Sequence, residues 1–156
     1  HQGGIIFHLD SLGGGLIAAP FDQSGGAEWG CNETNIAGAD GTAIGTGAQN
    51  TIDIVNANCS PWNIGYSIAA NICDTLTLGG YSDWFLPSKD ELNQMYLNIG
   101  QGNALGLGNI GGFSNGYYWS SSEYSNNGAW MQGFYTGAQY YQVKYDLQSV
   151  RAVRAF

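Results

Sequence analysis

Gly80-Tyr81-Ser82-Asp83-Trp84-Phe85-Leu86-Pro87-Ser88-Lys89-Asp90-Glu91-Leu92 carries the sharpest local signal in this chain. Ser88 to Glu91 has the S-x-x-E spacing of a capping box. The Ser88 hydroxyl can accept from the Glu91 backbone N–H, and the Glu91 carboxylate can reach back to the Ser88 N–H. Asp90 and Glu91 also stand at the positive end of the helix dipole. Leu92, Met95, Tyr96 and Ile99 follow at helical spacing, and Gly100 supplies the stop. A helix is therefore expected to begin after Ser88 and to end at Gly100.

Upstream, Ile68, Ile72 and Leu76 recur every fourth residue with Ala69 and Cys73 alongside, which predicts a helix over 66–76 closed by Gly79-Gly80. Ala48, Ile52 and Val55 predict another over 47–56. Gly4 to Leu9 and Leu16 to Ala19 read as a hairpin around Gly13-Gly14-Gly15. Residues 22–47 lack periodicity and read as one long ordered loop pinned by Trp29. Downstream, 100–116 reads as loop. Strands are expected at 117–122, 128–135, 139–145 and 149–155. No repeat or linker divides the chain, so residues 1–156 form a single α+β domain with antiparallel strands and two to three helices. Pairing of its N- and C-terminal strands would close the domain on itself.

The 156 residues suit one core. Only 10 % are charged and the net charge is −8, with four basic residues: Lys89, Lys144, Arg151 and Arg154. A basic stripe is missing, so nucleic acid is not an expected partner. No apolar run approaches the roughly 20 residues of a membrane span, and no direct membrane insertion is expected. The abrupt start at His1-Gln2-Gly3-Gly4, just before a strand, reads as a piece of a longer protein.

Signatures of catalysis are scarce. G-x-S-x-G, H-E-x-x-H and Walker-type patterns are missing, and no catalytic residue is assigned. His8, in an apolar strand, reads as structural. Gly41 to Gly47 places glycines before a helix but lacks the lysine of a phosphate loop, and reads as a turn-rich loop. Ser120-Ser121-Ser122, with no base in place, reads as strand. Arg151 and Arg154 in an apolar strand call for carboxylate partners, with Glu123 the first candidate. Cys31, Cys59 and Cys73 fit no zinc spacing. One disulfide plus a free thiol and three free thiols are both compatible, and Cys59–Cys73 is the favoured pair. Asp10, Asp22, Glu33, Asp40, Asp53 and Asp83 are loop carboxylates of the kind that bind calcium, but none lies in a calcium-loop run. No metal or other cofactor is expected.

The aromatic distribution is the informative feature. Seven of the ten tyrosines fall from residue 117 onward: Tyr117, Tyr118, Tyr124, Tyr135, Tyr140, Tyr141 and Tyr145. Tyrosine offers a large contact area and a polar tip at low entropic cost, and the Ser, Asn and Gly between supply adaptable hydrogen bonds. A β-rich core accounts for Trp119, Trp130 and Phe134. It accounts poorly for adjacent Tyr140-Tyr141, because neighbours on a strand face opposite ways.

Together the Gly80–Leu92 segment, Gly3-Gly4-Ile5-Ile6-Phe7, Tyr118-Trp119-Ser120-Ser121-Ser122-Glu123 and the terminal Val150-Arg151-Ala152-Val153-Arg154-Ala155-Phe156 resemble bacterial C-type-lectin-like domains. Among these is the family of the Legionella collagen-like protein's C-terminal domain. The resemblance implies a C-type-lectin-like fold in its formylglycine-generating-enzyme-like variant. The cysteine-centred site of the enzyme relatives has no counterpart motif here, so no enzymatic activity is carried over.

Residues 119–156 further resemble the variable region of a diversity-generating retroelement target protein. In such proteins a reverse transcriptase rewrites adenine-containing codons while the backbone stays fixed. The resemblance implies a frame of Trp119, Ala129, Trp130, Phe134, Gly137, Lys144, Val150, Arg151 and Arg154. It implies ligand-binding, variable positions at Met131, Gly133, Tyr135, Ala138, Tyr140, Tyr141, Val143, Tyr145, Asp146, Leu147 and Ser149. The expected function is receptor recognition or adhesion toward a surface protein or glycan, at a cell surface, in secreted form or on a virion. The alternatives are a fixed carbohydrate-binding lectin or adhesin, with calcium, and a sulfatase-modifying-type enzyme.

Overall fold

The computed structural model describes residues 1–156. It contains helices α1 (Gly47–Asn56), α2 (Ala69–Asp74) and α3 (Lys89–Ile99). The strands are β1 (Ile5–Leu9), β2 (Gly15–Ala18), β3 (Ser24–Ala27), β4 (Tyr117–Ser125), β5 (Gly128–Gly133), β6 (Gln139–Val143), β7 (Gln148–Val150) and β8 (Val153–Ala155).

The capping box forms as the spacing predicts. Ser88 Oγ accepts from Glu91 N at 3.3 Å, and Glu91 Oε2 accepts from Ser88 N at 2.7 Å. Leu92, Met95 and Ile99 are buried beneath α3, while Tyr96 is half-buried.

The bounds of α1 match the expected ones, but its inward face matches only in part. Gly47, Asn50, Thr51 and Ile54 are buried, and Ile52 is exposed. The buried polar pair is hydrogen-bonded: Asn50 Nδ2 donates to Gly41 O and Ser121 Oγ, and Thr51 Oγ1 accepts from Leu86 N. Ala48 and Val55 do pack against the cores, but hydrophobicity alone turns the helix toward exposed Ile52 and misses the inner side held by hydrogen bonds. α2 is shorter than expected. Ile68 is extended and bridges Glu28, so the helix starts only at Ala69.

β2 pairs antiparallel with β1 and with β8, in the register Leu16↔Ala155, Ile17↔Arg154 and Ala18↔Val153. The two ends of the chain therefore meet in one three-stranded sheet. The second sheet has the order β3-β7-β4-β5-β6. β3 lies inside the segment expected as loop; Ser-Gly-Gly-Ala carries no apolar alternation to betray it. The expected final strand is two strands in different sheets, divided where the Arg151 side chain turns into the interior. One core cluster gathers Trp29, Trp84 and Trp119 with Ile54 and Leu86. The other gathers Phe7, Phe113, Tyr118 and Phe134 with Met95.

Two pairings correct the sequence reading. The disulfide joins Cys31 to Cys59, whose Cα atoms are 5.2 Å apart, and Cys73 is free. Cys73 lies on the buried face of α2 with Ala69 and Ala70, so closeness in sequence to Cys59 did not become closeness in space. Arg151 pairs with Asp22 at 2.6 Å and Arg154 with Asp83, while Glu123 takes Lys144 at 2.5 Å.

Candidate recognition surface

Strand β6 is the edge of its sheet, and both Tyr140 and Tyr141 on it are exposed. Its register with β5 pairs Trp130↔Tyr141 and Met131↔Tyr140, and this sends Tyr140 and Tyr141 to opposite faces. On one face the rings of Tyr124 and Tyr141 stack, with centroids 4.1 Å apart and planes 12° from parallel. Trp130 meets Tyr124 edge-on at 5.1 Å. The Lys89 ammonium lies 4.4 Å from the Trp130 ring, and Gln139 Nε2 donates to Lys89 O at 2.8 Å, tying the start of α3 to the sheet edge. On the other face Tyr140 meets Tyr117 edge-on at 6.0 Å. Tyr135, in the turn between β5 and β6, is 73 % exposed.

The four tyrosines 135, 140, 141 and 145 are all exposed, but they are divided between two faces and the adjoining turns. Ala138, Val143, Asp146 and Leu147 are half-buried. Met131, Gly133 and Ser149 are buried, which corrects their expected outward display. Met131 pairs with Trp119 and belongs to the core, and Ser149 pairs with Tyr118 in the middle of the sheet. A Cβ on Gly133 would stand 3.0 Å from Thr136 Oγ1 and 3.2 Å from the Tyr117 ring. Trp130, expected in the frame, is half-buried and belongs to the aromatic cluster.

A rigid frame lies beneath. Trp119 Nε1 donates to Ala27 O and Trp29 Nε1 to Ser120 O, both at 2.9 Å. The buried Lys144 ammonium donates to Glu123 and to Thr34 O, and sits over the Trp29 ring. Burial lowers its pKa, and the Glu123 carboxylate opposes that shift. Arg151 donates to Asp22, Ala19 O and Gly111 O and covers the Phe113 ring.

Several of the remaining chemical candidates have structural partners. Ser120 Oγ donates to Trp130 O and Ser122 Oγ to Gly41 O. The Gly41–Gly47 loop holds the chain's own carboxylate, with Gly45 N donating to Glu91 Oε1 at 2.7 Å. Burial raises the Glu91 pKa despite the backbone donors of Ser88, Gly45 and Gly47. Burial also raises the Cys73 thiol pKa, and Asp74 adds to it. Asp22 and Asp83 are taken by arginines, and Asp10 closes its own turn through Leu12 N and Gly14 N. No three His, Cys, Asp or Glu side chains converge as a metal site.

Sequence reasoning missed one part of this surface. In the Ser60–Tyr66 loop Trp62, Ile64 and Tyr66 are exposed, and the Trp62 ring stands 6.1 Å from that of Tyr145. The signal available was an aromatic, an aliphatic and another aromatic at alternate positions in a Pro- and Gly-bearing loop.

Closed termini, two curled and mostly antiparallel sheets and three flanking helices define a C-type-lectin-like domain. Residues 21–154 match the family of the Lcl C-terminal domain, and the chain belongs to that family. No curated protein matches the chain.

Proposed function

We propose that this is a non-enzymatic ligand-binding domain of the receptor-recognition or adhesin kind, displayed at a cell surface, secreted or carried on a virion. Its ligand, a surface protein or glycan, is held by side chains around β6. The observation that carries this reading is the cluster of exposed Tyr124 and Tyr141 with half-buried Trp130, standing on a frame of buried ion pairs. Aromatic anchors on an immobile backbone are what a strong contact requires, because little order is lost on binding. Cys73 itself is a poor nucleophile, since its thiol is buried and burial raises its pKa.

The finer proposal is that a retroelement diversifies residues 119–156. Tyr135, Ala138, Tyr140, Tyr141, Val143, Tyr145, Asp146 and Leu147 are the positions with exposed or half-buried side chains that can change at small cost to the core. Sequencing the flanking DNA tests it. A reverse transcriptase gene and a second copy of these codons, differing at adenines, are expected; finding neither removes diversification. Binding is tested separately, on arrays of glycans and surface proteins probed with the wild type and with Tyr140→Ala/Tyr141→Ala. Equal binding by both would remove the β6 face as the site.

A further inference from the structure

We propose that the tip of the Ser60–Tyr66 loop is a fixed apolar anchor, and that its partner is a protein with an apolar hollow bordered by basic side chains. This rests on the binding reading above and adds to it a contact outside residues 119–156 and a class of partner.

The loop is built to hold its tip still. Asn63 to Tyr66 form a turn closed by Tyr66 N donating to Asn63 O at 3.3 Å. Gly65 takes φ +90° in that turn, a conformation open to glycine, which places Ile64 at the corner. Turn corners are normally polar, yet Ile64 is fully exposed and Trp62 is 63 % exposed. The carboxylate of Glu28 lies buried under them. Its Oε2 accepts from Trp62 N at 2.7 Å and its Oε1 from Asn63 N at 2.6 Å. Asn63 Nδ2 donates to Tyr145 O at 2.9 Å, which joins the loop to the tyrosine-bearing region. A buried carboxylate with both oxygens engaged in orienting one turn is a costly device for a loop with no task. The residues it orients are apolar.

The chemistry of the tip selects the partner. A branched aliphatic side chain beside an indole gains by filling an apolar pocket, and offers a sugar hydroxyl nothing to bond. The charge of the whole domain sets the rim. The net charge is −8, and of the four cationic side chains three are held in ion pairs while Lys89 lies over Trp130. A second copy of this chain would bring like charge to like, whereas a basic rim is complementary.

The probe is a phage library of random peptides presented on a small folded scaffold, so that a hollow can form, selected on the wild-type domain and read against three variants: Ile64→Asp, Trp62→Ala and Tyr140→Ala/Tyr141→Ala. Ile64 and Trp62 make little of the core, and circular dichroism checks that each variant folds. Enriched peptides are expected to carry an apolar cluster beside Arg or Lys. Their Kd is expected to weaken about 10- to 100-fold with Ile64→Asp or Trp62→Ala. Failure to enrich any peptide, or enriched peptides that bind Ile64→Asp unchanged, overturns the anchor. So does a dimer in sedimentation that Ile64→Asp abolishes, because the occupant would then be a second copy. Loss of binding in the double tyrosine variant alone would leave the β6 reading standing and remove the anchor. Loss in the Ile64 and Trp62 variants alone would do the reverse.

Discussion

Lys144 and Glu123 meet at 2.5 Å under the second sheet, with the lysine side chain wholly buried and the carboxylate nearly so. The pair ties the end of β4 to the chain just after β6, and Glu123 also accepts from Ile36 N at 3.0 Å. Removing one partner leaves the other charge buried without compensation. Lys144→Met is therefore expected to lower stability by about 3–5 kcal/mol. Glu123→Gln added to it should restore much of the loss, because the amide oxygen can still accept from Ile36. Urea unfolding of the two variants and the wild type measures this. A double variant as unstable as the single one would show that the ion pair itself, and not the orphaned charge, sets the cost.

The Cys31–Cys59 bridge spans 28 residues and pins the chain after β3 to the chain after α1. By loop-closure entropy, replacing both cysteines with alanine should cost roughly 3–4 kcal/mol. Without reductant, iodoacetamide should label nothing in the native protein and only Cys73 once it is unfolded. Labelling of Cys31 in the unfolded, unreduced chain would contradict the pairing.

The helices were legible in the sequence wherever a local rule fixed them, and the capping box at Ser88 and Glu91 is the clearest case. What failed depended on distance along the chain. Nothing near Arg151 indicates Asp22, which precedes it by 129 residues, and Glu123 is the first candidate by sequence. Ser24 to Ala27 form a strand because β7 presents an edge to them, not through their own side chains. Within the candidate site, tyrosine content located the exposed region. It could not show that Met131 and Ser149 face inward, because that depends on which strands flank them. The Trp62–Ile64 tip went unnoticed because its anchor, Glu28, is 34 residues from Trp62.

Glu91 gives the fold a pH signature. Burial raises its pKa above the usual carboxylate value even though it closes the capping box. A carboxyl group whose folded pKa is raised binds its proton more tightly in the native state. Its contribution is complete below the unfolded pKa and is lost as pH rises through the folded value. Urea midpoints measured from pH 4 upward should show the wild type losing ground to Glu91→Gln across that window. A constant difference between the two at every pH would show that Glu91 is not perturbed by burial.

The boundary between display and frame can be measured through stability alone, with no ligand in hand. Tyr135→Ser removes an exposed ring and is expected to change stability by about 0.5 kcal/mol or less. Tyr141→Ser should cost about 1 kcal/mol more, through lost stacking on Tyr124 and edge contact with Trp130. Ser149→Tyr forces a large ring into the middle of the sheet opposite Tyr118, and an overpacking cost of about 1–3 kcal/mol or greater is expected. The same holds for Gly133→Tyr, where the Tyr117 ring and Thr136 already stand at contact distance. Urea unfolding of the four variants gives the order directly. If Ser149→Tyr proved as mild as Tyr135→Ser, position 149 would have to be counted among the side chains this surface can vary.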